Sequence, residues 1–288
     1  DATNVTALGV KVITSVDLDH MRYLGSTLPE IAAEKAGIVR ENDLVVCGHL
    51  APEALAVVER RCAEAGAEMW LADRDFDTSV RGADWEGVRF DFTAREGSAL
   101  HSISRLTSVM VGRHQATNAG LAVAAAQAMV GRHGIAIDDR AVRDGVAATR
   151  WPGRLERIPG HPRVVVDGAH NPAAITALIA AIKDLEPSRQ PVLLFGAMAD
   201  KDVAAMVRLL PGDWPAVFTA VAEERAIPGR ELMQIAADSG RTGDAEVADV
   251  GAALEAARER AGAGGLVLVL GSLYLAGDVR RRLVGADT

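Results

Sequence analysis

The residues best placed to do chemistry lie in one short segment, Asp-Gly-Ala-His-Asn-Pro at 167–172. Three β-branched residues precede it and predict a buried strand, and Asn171 and Pro172 have the residue types of a helix N-cap and first helical position. A strand that turns directly into a helix presents backbone N–H groups and a positive dipole end, which suit a phosphate or another anion. Asp167 and His170 would lie at the carboxyl edge of a sheet, where open α/β folds bind ligands. Ordinary turns use the same residue types, so both interpretations stay open.

A second group of polar residues follows a strand predicted near the start of the chain. Two aspartates and His20 stand at its end, and Lys35 follows on a predicted helix. Carboxylate and imidazole groups are suitable ligands for Mg²⁺ or a transition metal. The alternative is that the acids are solvated and that Lys35 pairs with Glu30 or Glu34 on the helix surface.

Two further segments could bind a nucleotide. Residues 112–118 place side-chain amides, including that of Asn118, at a predicted helix start, where they could contact a base or act as caps. Arg154, in Trp-Pro-Gly-Arg-Leu-Glu at 151–156, could bind phosphate with its guanidinium or form an ion pair with Glu156 or another acid at a domain junction. Similar strand-to-helix turns are predicted at 195–202 and 271–274.

Composition and motif content exclude several classes of protein. The net charge of −8 argues against a nucleic-acid-binding surface, and no apolar run reaches the length of a membrane span. Cys47 and Cys62 are expected to be buried hydrophobic residues in a reducing compartment, the cytoplasm. The sequence contains no P-loop, no Gly-x-Ser-x-Gly, no His-Glu-x-x-His and no Cys-x-x-Cys motif.

Strand-like and helix-like segments alternate along the chain, which predicts an α/β architecture. Apolar and polar residues alternate over 85–110, which predicts an antiparallel addition at the edge of a sheet. Trp-Pro-Gly at 151–153 indicates a domain junction. We therefore expect two domains, residues 1–150 and residues 151–288, of which the second is a small doubly wound parallel-sheet domain. Its predicted strands are 163–166, 192–195, 216–221, 246–250 and 266–270.

Taken in order, these segments resemble the folylpolyglutamate synthase / dihydrofolate synthase family of the Mur ligase superfamily. The resemblance covers essentially the whole chain and is specific as an ordered set. The matching pieces are Asp-Ala-Thr-Asn at 1–4, Ile-Thr-Ser through Leu-Asp-His at 13–20, Glu-Lys-Ala-Gly-Ile at 34–38, His-Gln with Asn at 114–118, Trp-Pro-Gly-Arg-Leu-Glu at 151–156, Asp-Gly-Ala-His-Asn-Pro at 167–172, Phe-Gly-Ala-Met-Ala-Asp-Lys-Asp at 195–202 and Gly-Ser-Leu-Tyr-Leu at 271–275. The resemblance implies the later part of a Mur-ligase-type central ATPase domain over 1–150, followed by a Rossmann-like C-terminal domain over 151–288.

The resemblance also implies a reaction, that of an ATP-dependent, ADP-forming amide ligase. ATP would phosphorylate the carboxylate of dihydropteroate or the γ-carboxylate of a folate glutamate. The amine of L-glutamate would then attack the acyl phosphate and give an amide, ADP and phosphate. Such chemistry needs Mg²⁺ and cationic groups that stabilise the transferred phosphoryl charge.

Individual residues take their expected roles from the same resemblance. His20 matches a Mg²⁺-ligating histidine, and Lys35 matches the lysine that is carbamylated in this superfamily and can hold a second Mg²⁺. His170 matches a histidine near the γ-phosphate, and we expect it to act in catalysis together with Lys35. The positions expected to contact ATP are Asn118, Arg154, Asp167 and His170. The positions expected to contact the pterin substrate are Asp1 and Ala2.

In this family the P-loop precedes the Asp-Ala-Thr-Asn segment, so the chain is expected to be an N-terminally truncated member that is inactive by itself. Two alternatives remain open. The chain could belong to another amino-acid ligase of the superfamily, of the peptidoglycan-precursor or cyanophycin type, or it could be a nucleotide-binding fragment without catalysis. The expected partners are ATP, L-glutamate and dihydropteroate or folates, with neither nucleic acid nor membrane, and the expected state is a monomer.

Overall fold

The computed structural model describes residues 9–18, 24–242 and 244–285. The chain forms two compact units, the first ending at Arg150 and the second beginning at Trp151. Each unit contains a parallel sheet whose strands are joined by helical crossovers, so the predicted α/β class is confirmed. No helix within these three ranges is long and apolar enough to cross a membrane.

The first unit contains a three-stranded parallel sheet in the order β1-β2-β3. Its elements are β1 (Val10–Ile13), α1 (Leu28–Ala36), β2 (Leu44–Cys47), α2 (Pro52–Glu64) and β3 (Glu68–Leu71). All four residues of the central strand β2 are buried, as expected for a strand that is covered on both faces. Ile31 of α1, Val45 of β2 and Val58 of α2 belong to one buried cluster on one of those faces.

A second, antiparallel sheet follows in the order β4-β5-β6. Its strands are β4 (Phe76–Asp84), β5 (Gly87–Ala94) and β6 (Ile103–Ser108). Antiparallel pairing over 85–110 was predicted, but these strands form a sheet of their own rather than an addition to the edge of another. The prediction also missed β4, because that strand is mostly polar and carries few apolar residues to reveal its alternation.

Helix α3 (His114–His133) packs between the two sheets of the first unit, and α4 (Asp139–Ala148) follows it. Leu121 and Ala124 of α3 share a buried cluster with Val46 of β2 and Phe92 of β5. Small residues of α3 allow this helix to lie close to the antiparallel sheet. A Cβ added at Gly120 would lie 2.2 Å from a methyl group of Thr78.

The second unit contains a six-stranded sheet in the order β11-β10-β9-β12-β8-β7, in which only β7 is antiparallel to its neighbour. Its strands are β7 (Glu156–Ile158), β8 (Arg163–Val166), β9 (Val192–Phe195), β10 (Ala216–Phe218), β11 (Ala245–Glu246) and β12 (Leu266–Leu270). Its helices are α5 (Pro172–Leu185), α6 (Val203–Leu209), α7 (Gly229–Asp238), α8 (Val250–Ala261) and α9 (Leu273–Val284). The last strand, β12, is inserted between β8 and β9, so the turns after these three strands lie at one carboxyl edge.

Two predicted strands of the second unit are shorter in the structure. Pairing of β10 ends at Phe218 and that of β11 covers only Ala245–Glu246, because residues 219–228 form the loop before α7 and Asp249 already caps α8. Strand β7 was not predicted. It is three residues long, too short for a periodic pattern to reveal.

Candidate functional site

Asp167 connects two loops at the carboxyl end of β8. Asp167 is 8% exposed, and its carboxylate accepts the Leu155 N–H at Oδ2 and the Ala169 N–H at Oδ1, both at 2.8 Å. Its own N–H donates to the Val269 carbonyl of β12 at 3.0 Å. A buried carboxylate needs such donors. Asp167 therefore joins the segment before β7 to the turn after β8.

His170 lies in the same turn and is half-buried. Its Nδ1 is 2.7 Å from the Gly168 carbonyl oxygen. A carbonyl oxygen only accepts, so we assign a proton to Nδ1 from this contact. Nε2 therefore faces away from the Gly168 carbonyl. The contact orients the imidazole relative to the turn.

The predicted helix start after this turn is confirmed. Asn171 is the N-cap of α5, and its Oδ1 accepts the Ala174 N–H at 2.8 Å. Pro172 occupies the first turn, where its missing N–H costs nothing. The positive end of the α5 dipole is thus beside Asp167 and His170.

Arg154 is half-buried and passes over Gly168. A Cβ added at Gly168 would lie 2.7 Å from Nη1 of Arg154 and 2.3 Å from Cδ2 of Leu273. Only glycine at this position allows both side chains to approach the turn. The alternative ion pair between Arg154 and Glu156 is wrong, because Glu156 pairs with Arg280. Arg154 makes no ion pair with any residue that the structure describes.

Two neighbouring turns complete the edge. Gly271, after β12, has a φ of +104° and donates its N–H to the Ala169 carbonyl at 2.8 Å. Ser272 is buried and is the N-cap of α9, accepting the Tyr274 N–H at 3.1 Å.

The turn after β9 lies at the same edge. Gly196 in this turn donates its N–H to the Leu270 carbonyl at 3.4 Å. The second unit therefore brings Arg154, Asp167 and His170 together with both flanking turns.

Lys35 lies in the last turn of α1 and is exposed. The alternative interpretation offered Glu30 or Glu34 as the partner of Lys35, and the pairing with Glu30 is wrong, because Glu30 belongs to a capping box at the other end of the helix. Its carboxylate accepts the N–H groups of Ser26 at 2.7 Å and of Thr27 at 3.1 Å. The Ser26 backbone bond is the largest of the effects that lower the pKa of Glu30. Lys35 is left at the helix end, where a cation interacts favourably with the dipole.

The predicted metal site is only partly described. His20 and its neighbour Asp19 lie outside the described residues. Among the residues that are described, no three His, Cys, Asp or Glu side chains form a group that could hold a metal ion. The predicted substrate contacts Asp1 and Ala2 also lie outside them.

Asn118 is exposed on the first turns of α3. Its Nδ2 donates to Gln115 Oε1 at 3.0 Å, and Gln115 Nε2 lies 3.1 Å from His114 Nε2. The buried Gln115 thus orients Asn118 within this helix. Asn118 and Lys35 belong to the first unit, and Arg154, Asp167 and His170 to the second.

Comparison with known proteins identifies the family. Residues 153–273 match the family model described as Mur ligase, glutamate ligase domain. The chain is 36% identical to the folylpolyglutamate synthase of Lacticaseibacillus casei over all of its own length and 65% of that protein. It is 33% identical to the dihydrofolate synthase/folylpolyglutamate synthase of Bacillus subtilis, over 98% of the chain and 64% of that protein. The chain belongs to the folylpolyglutamate synthase / dihydrofolate synthase family of Mur ligases.

Solved structures of this family have the same fold. The Mycobacterium tuberculosis folylpolyglutamate synthase complexed with ADP superposes with a TM-score of 0.90 at 30% identity, over 99% of this chain and 65% of that one. Escherichia coli FolC in complex with DHPP and ADP gives a TM-score of 0.83 at 29% identity, over 98% and 63%. The chain thus spans about 65% of the length of these relatives. The match to the Mur ligase domain begins at Gly153 and ends at Leu273, so it includes Arg154 and all three turns of the edge.

Proposed function

We propose that the protein containing this chain is an ATP-dependent, ADP-forming ligase that joins L-glutamate to dihydropteroate, to folate polyglutamates or to both, through an acyl phosphate. The observation that carries the proposal is the gathering of Arg154, Asp167 and His170 at one carboxyl edge, within a domain matched by a glutamate ligase family. Similarity to folylpolyglutamate synthases along the whole chain supports the reaction type.

We call residues 167–171, between β8 and α5, the Asp167 turn. We propose that residues 151–288 are the C-terminal domain of this ligase and hold the nucleotide at the Asp167 turn. Arg154 would bind phosphate oxygens with its guanidinium, whose fork matches them in geometry and charge. His170, oriented by the Gly168 carbonyl, would donate to or accept from the γ-phosphate through Nε2. Asp167 would keep both loops in place through its two backbone bonds and so shape the ATP site. Related structures in complex with ADP support a nucleotide here.

We propose that residues 1–150 are part of the central ATPase domain and supply Asn118 to the nucleotide, with Asp1 and Ala2 contacting the pterin substrate. Asn118 presents an exposed amide, a group that can recognise the polar edge of a base. The free cysteines support a reducing compartment, which we propose is the cytoplasm. Burial is the main cause that raises the pKa of the Cys47 thiol to about 12, so this thiol is inert.

Magnesium is the cofactor that such chemistry implies, and the donor set can be tested against it. Mg²⁺ prefers oxygen ligands, whereas the Lys35 ammonium is a cation and cannot bind a metal. The exposed amine can react with carbon dioxide, and the resulting carbamate offers two oxygens. The residues therefore fit Mg²⁺ when Lys35 is carbamylated, with His20 as a further ligand. A bound Mg²⁺ would neutralise charge on the transferred phosphoryl group.

The proposal is tested by assaying the protein that contains this chain with Mg-ATP, L-glutamate and either dihydropteroate or a reduced folate. We expect ADP release that depends on both other substrates, and a product heavier by one glutamyl residue. Arg154→Ala should lower kcat/KM for ATP by about 100-fold, because a phosphate contact is lost. Arg281→Ala, which removes an exposed arginine of α9, is the matched control and should leave the activity unchanged.

The alternative activities predict different outcomes in the same assay. Turnover only with a different amino acid or acceptor would indicate another Mur ligase. Tight ATP binding without turnover of any acceptor would indicate a nucleotide-binding protein. Either result would contradict the proposed reaction.

A further inference from the structure

An ion pair between distant parts of the chain fixes the loop that carries Arg154. We call residues 151–156 the Arg154 loop. Nε of Arg280, on α9, lies 2.9 and 3.0 Å from the two carboxylate oxygens of Glu156, which ends this loop. The side chains are 19% and 24% exposed, so solvent screens the pair only in part. Glu156 also accepts the Gly153 N–H at 2.8 Å, which closes the loop on itself.

The same loop is bonded to the Asp167 turn from two positions. Gly168 donates its N–H to the Gly153 carbonyl at 2.9 Å, and Leu155 donates its N–H to Asp167 at 2.8 Å. Leu155 is buried and has a φ of +46°, a left-handed backbone that residues with a Cβ rarely adopt. Such a conformation persists only where surrounding contacts hold it.

Arg154 stands between these anchored positions. Gly153 precedes it and Leu155 follows it, so the direction of the Arg154 side chain depends on bonds made by its neighbours. The guanidinium lies close above Gly168, where a single added carbon would displace it. A small rotation of the loop would therefore move the guanidinium away from the turn.

We propose that Glu156 and Arg280 are positioning residues for Arg154, which hold its guanidinium over the Asp167 turn for the phosphates of the nucleotide. The inference rests on the proposed function, because it assumes that Arg154 binds ATP. Arg280 acts through Glu156 and the loop, not through contact with the nucleotide. Its neighbour Arg281 is 67% exposed and pairs with Asp278, so it serves as a control for removing a charge from the same helix.

The test compares ATP binding and steady-state kinetics of Arg280→Ala, Arg154→Ala and the double variant, in the protein that contains this chain. We expect Arg280→Ala to raise KM for ATP about tenfold with little change in KM for glutamate, because misplacing one binding group weakens that substrate alone. In the Arg154→Ala background the same change should have no further effect. Arg280→Lys should restore part of the affinity, and Arg281→Ala should behave as wild type.

Amide hydrogen exchange without nucleotide gives a second readout. Arg280→Ala should speed exchange of the Gly153 and Leu155 N–H groups, while exchange in β9 stays unchanged. If Arg280→Ala does not fold, Glu156→Gln provides the same comparison with the size of the side chain retained.

Some contrary results would overturn only the positioning role of Arg280, whereas another would overturn the proposed function. An unchanged KM for ATP in a folded Arg280→Ala variant, or an equal loss in the presence and absence of Arg154, would overturn the positioning role. Wild-type protein that binds no ATP would instead overturn the proposed function itself, and the inference with it.

Discussion

At the scale of single residues, the candidate site depends on Gly168 as much as on the groups that could contact a ligand. Gly168 has no Cβ, and a Cβ at this position would overlap the Arg154 guanidinium and the Leu273 side chain. Arg154 is bulky and charged, and the closeness of its approach follows from the absence of a side chain at 168. A residue with no functional group thus determines where a functional group lies.

Gly168→Ala is therefore expected to damage the site. The new methyl group would overlap both neighbours and should lower the free energy of unfolding by about 1–3 kcal/mol. Displacement of Arg154 should also weaken ATP binding about tenfold. Gly277→Ala is the matched control, because Gly277 lies within α9 with open space around it and alanine there should stabilise the helix by up to about 1 kcal/mol. Calorimetry of ATP binding and thermal unfolding measures both effects, and unchanged affinity in Gly168→Ala would contradict the placement of Arg154.

At the scale of elements, α1 is stabilised at its N-terminal end, whereas the candidate residue Lys35 lies at its C-terminal end. Thr27 and Glu30 form a reciprocal capping box at its start, while Lys35 occupies its last turn. The hydrogen bonds that Glu30 accepts lower the pKa of its carboxyl group. A carboxylate that is favoured in the folded state stabilises the fold above its unfolded pKa, and the stabilisation is lost as the pH falls through the lower, folded value.

Glu30→Gln should consequently lower the melting temperature at pH 7. The difference from wild type should shrink once the pH falls below 4.5, the usual pKa of this group, and vanish when the wild-type carboxyl is protonated. Glu34→Gln removes a carboxylate from the same helix outside the cap and should leave the melting temperature at pH 7 close to that of wild type. A melting difference that is constant from pH 7 to pH 3 would contradict the capping role of Glu30.

The elements that could be predicted are those whose signal is local. Strands β9 and β12 are uninterrupted apolar runs, and β8 is an arginine followed by three valines; all three were predicted with the bounds that the structure has. The N-cap at Asn171 follows from residue types next to each other in the chain. Strand β7 carries no such pattern, because its pairing with β8 rather than its own sequence makes it a strand.

The candidate site divides in the same way. The Asp167 turn could be singled out from its sequence, but the ion pair of Glu156 with Arg280 joins residues 124 positions apart. No periodicity or local motif reports a contact of that kind. The left-handed conformation of Leu155 was equally hidden, since leucine is not a residue that predicts it.

At the scale of the whole molecule, the chain consists of two units with separate hydrophobic cores. The core of the second unit includes Val166, Leu194 and Val269 from three adjacent strands, together with buried residues of α8 and α9. A unit of this size with its own core is expected to fold alone.

Residues 151–288, expressed alone, should therefore unfold in urea in one cooperative transition. Leu268→Asp, which places a charge in the fully buried strand β12, should abolish that transition and serves as the control. Gradual loss of signal in the unmutated unit, with strong binding of a hydrophobic dye, would show that it needs the first unit for its stability.

We propose that the protein containing this chain activates a carboxylate as an acyl phosphate. The most direct test uses dihydropteroate, or a folate, in which both oxygens of the reacting carboxylate are ¹⁸O, together with ATP and L-glutamate. When the glutamate amine displaces phosphate from the acyl group, the leaving phosphate keeps one carboxylate oxygen. We predict one ¹⁸O in each phosphate released, with ADP as the other product. Phosphate without ¹⁸O, or label appearing in AMP, would contradict the account.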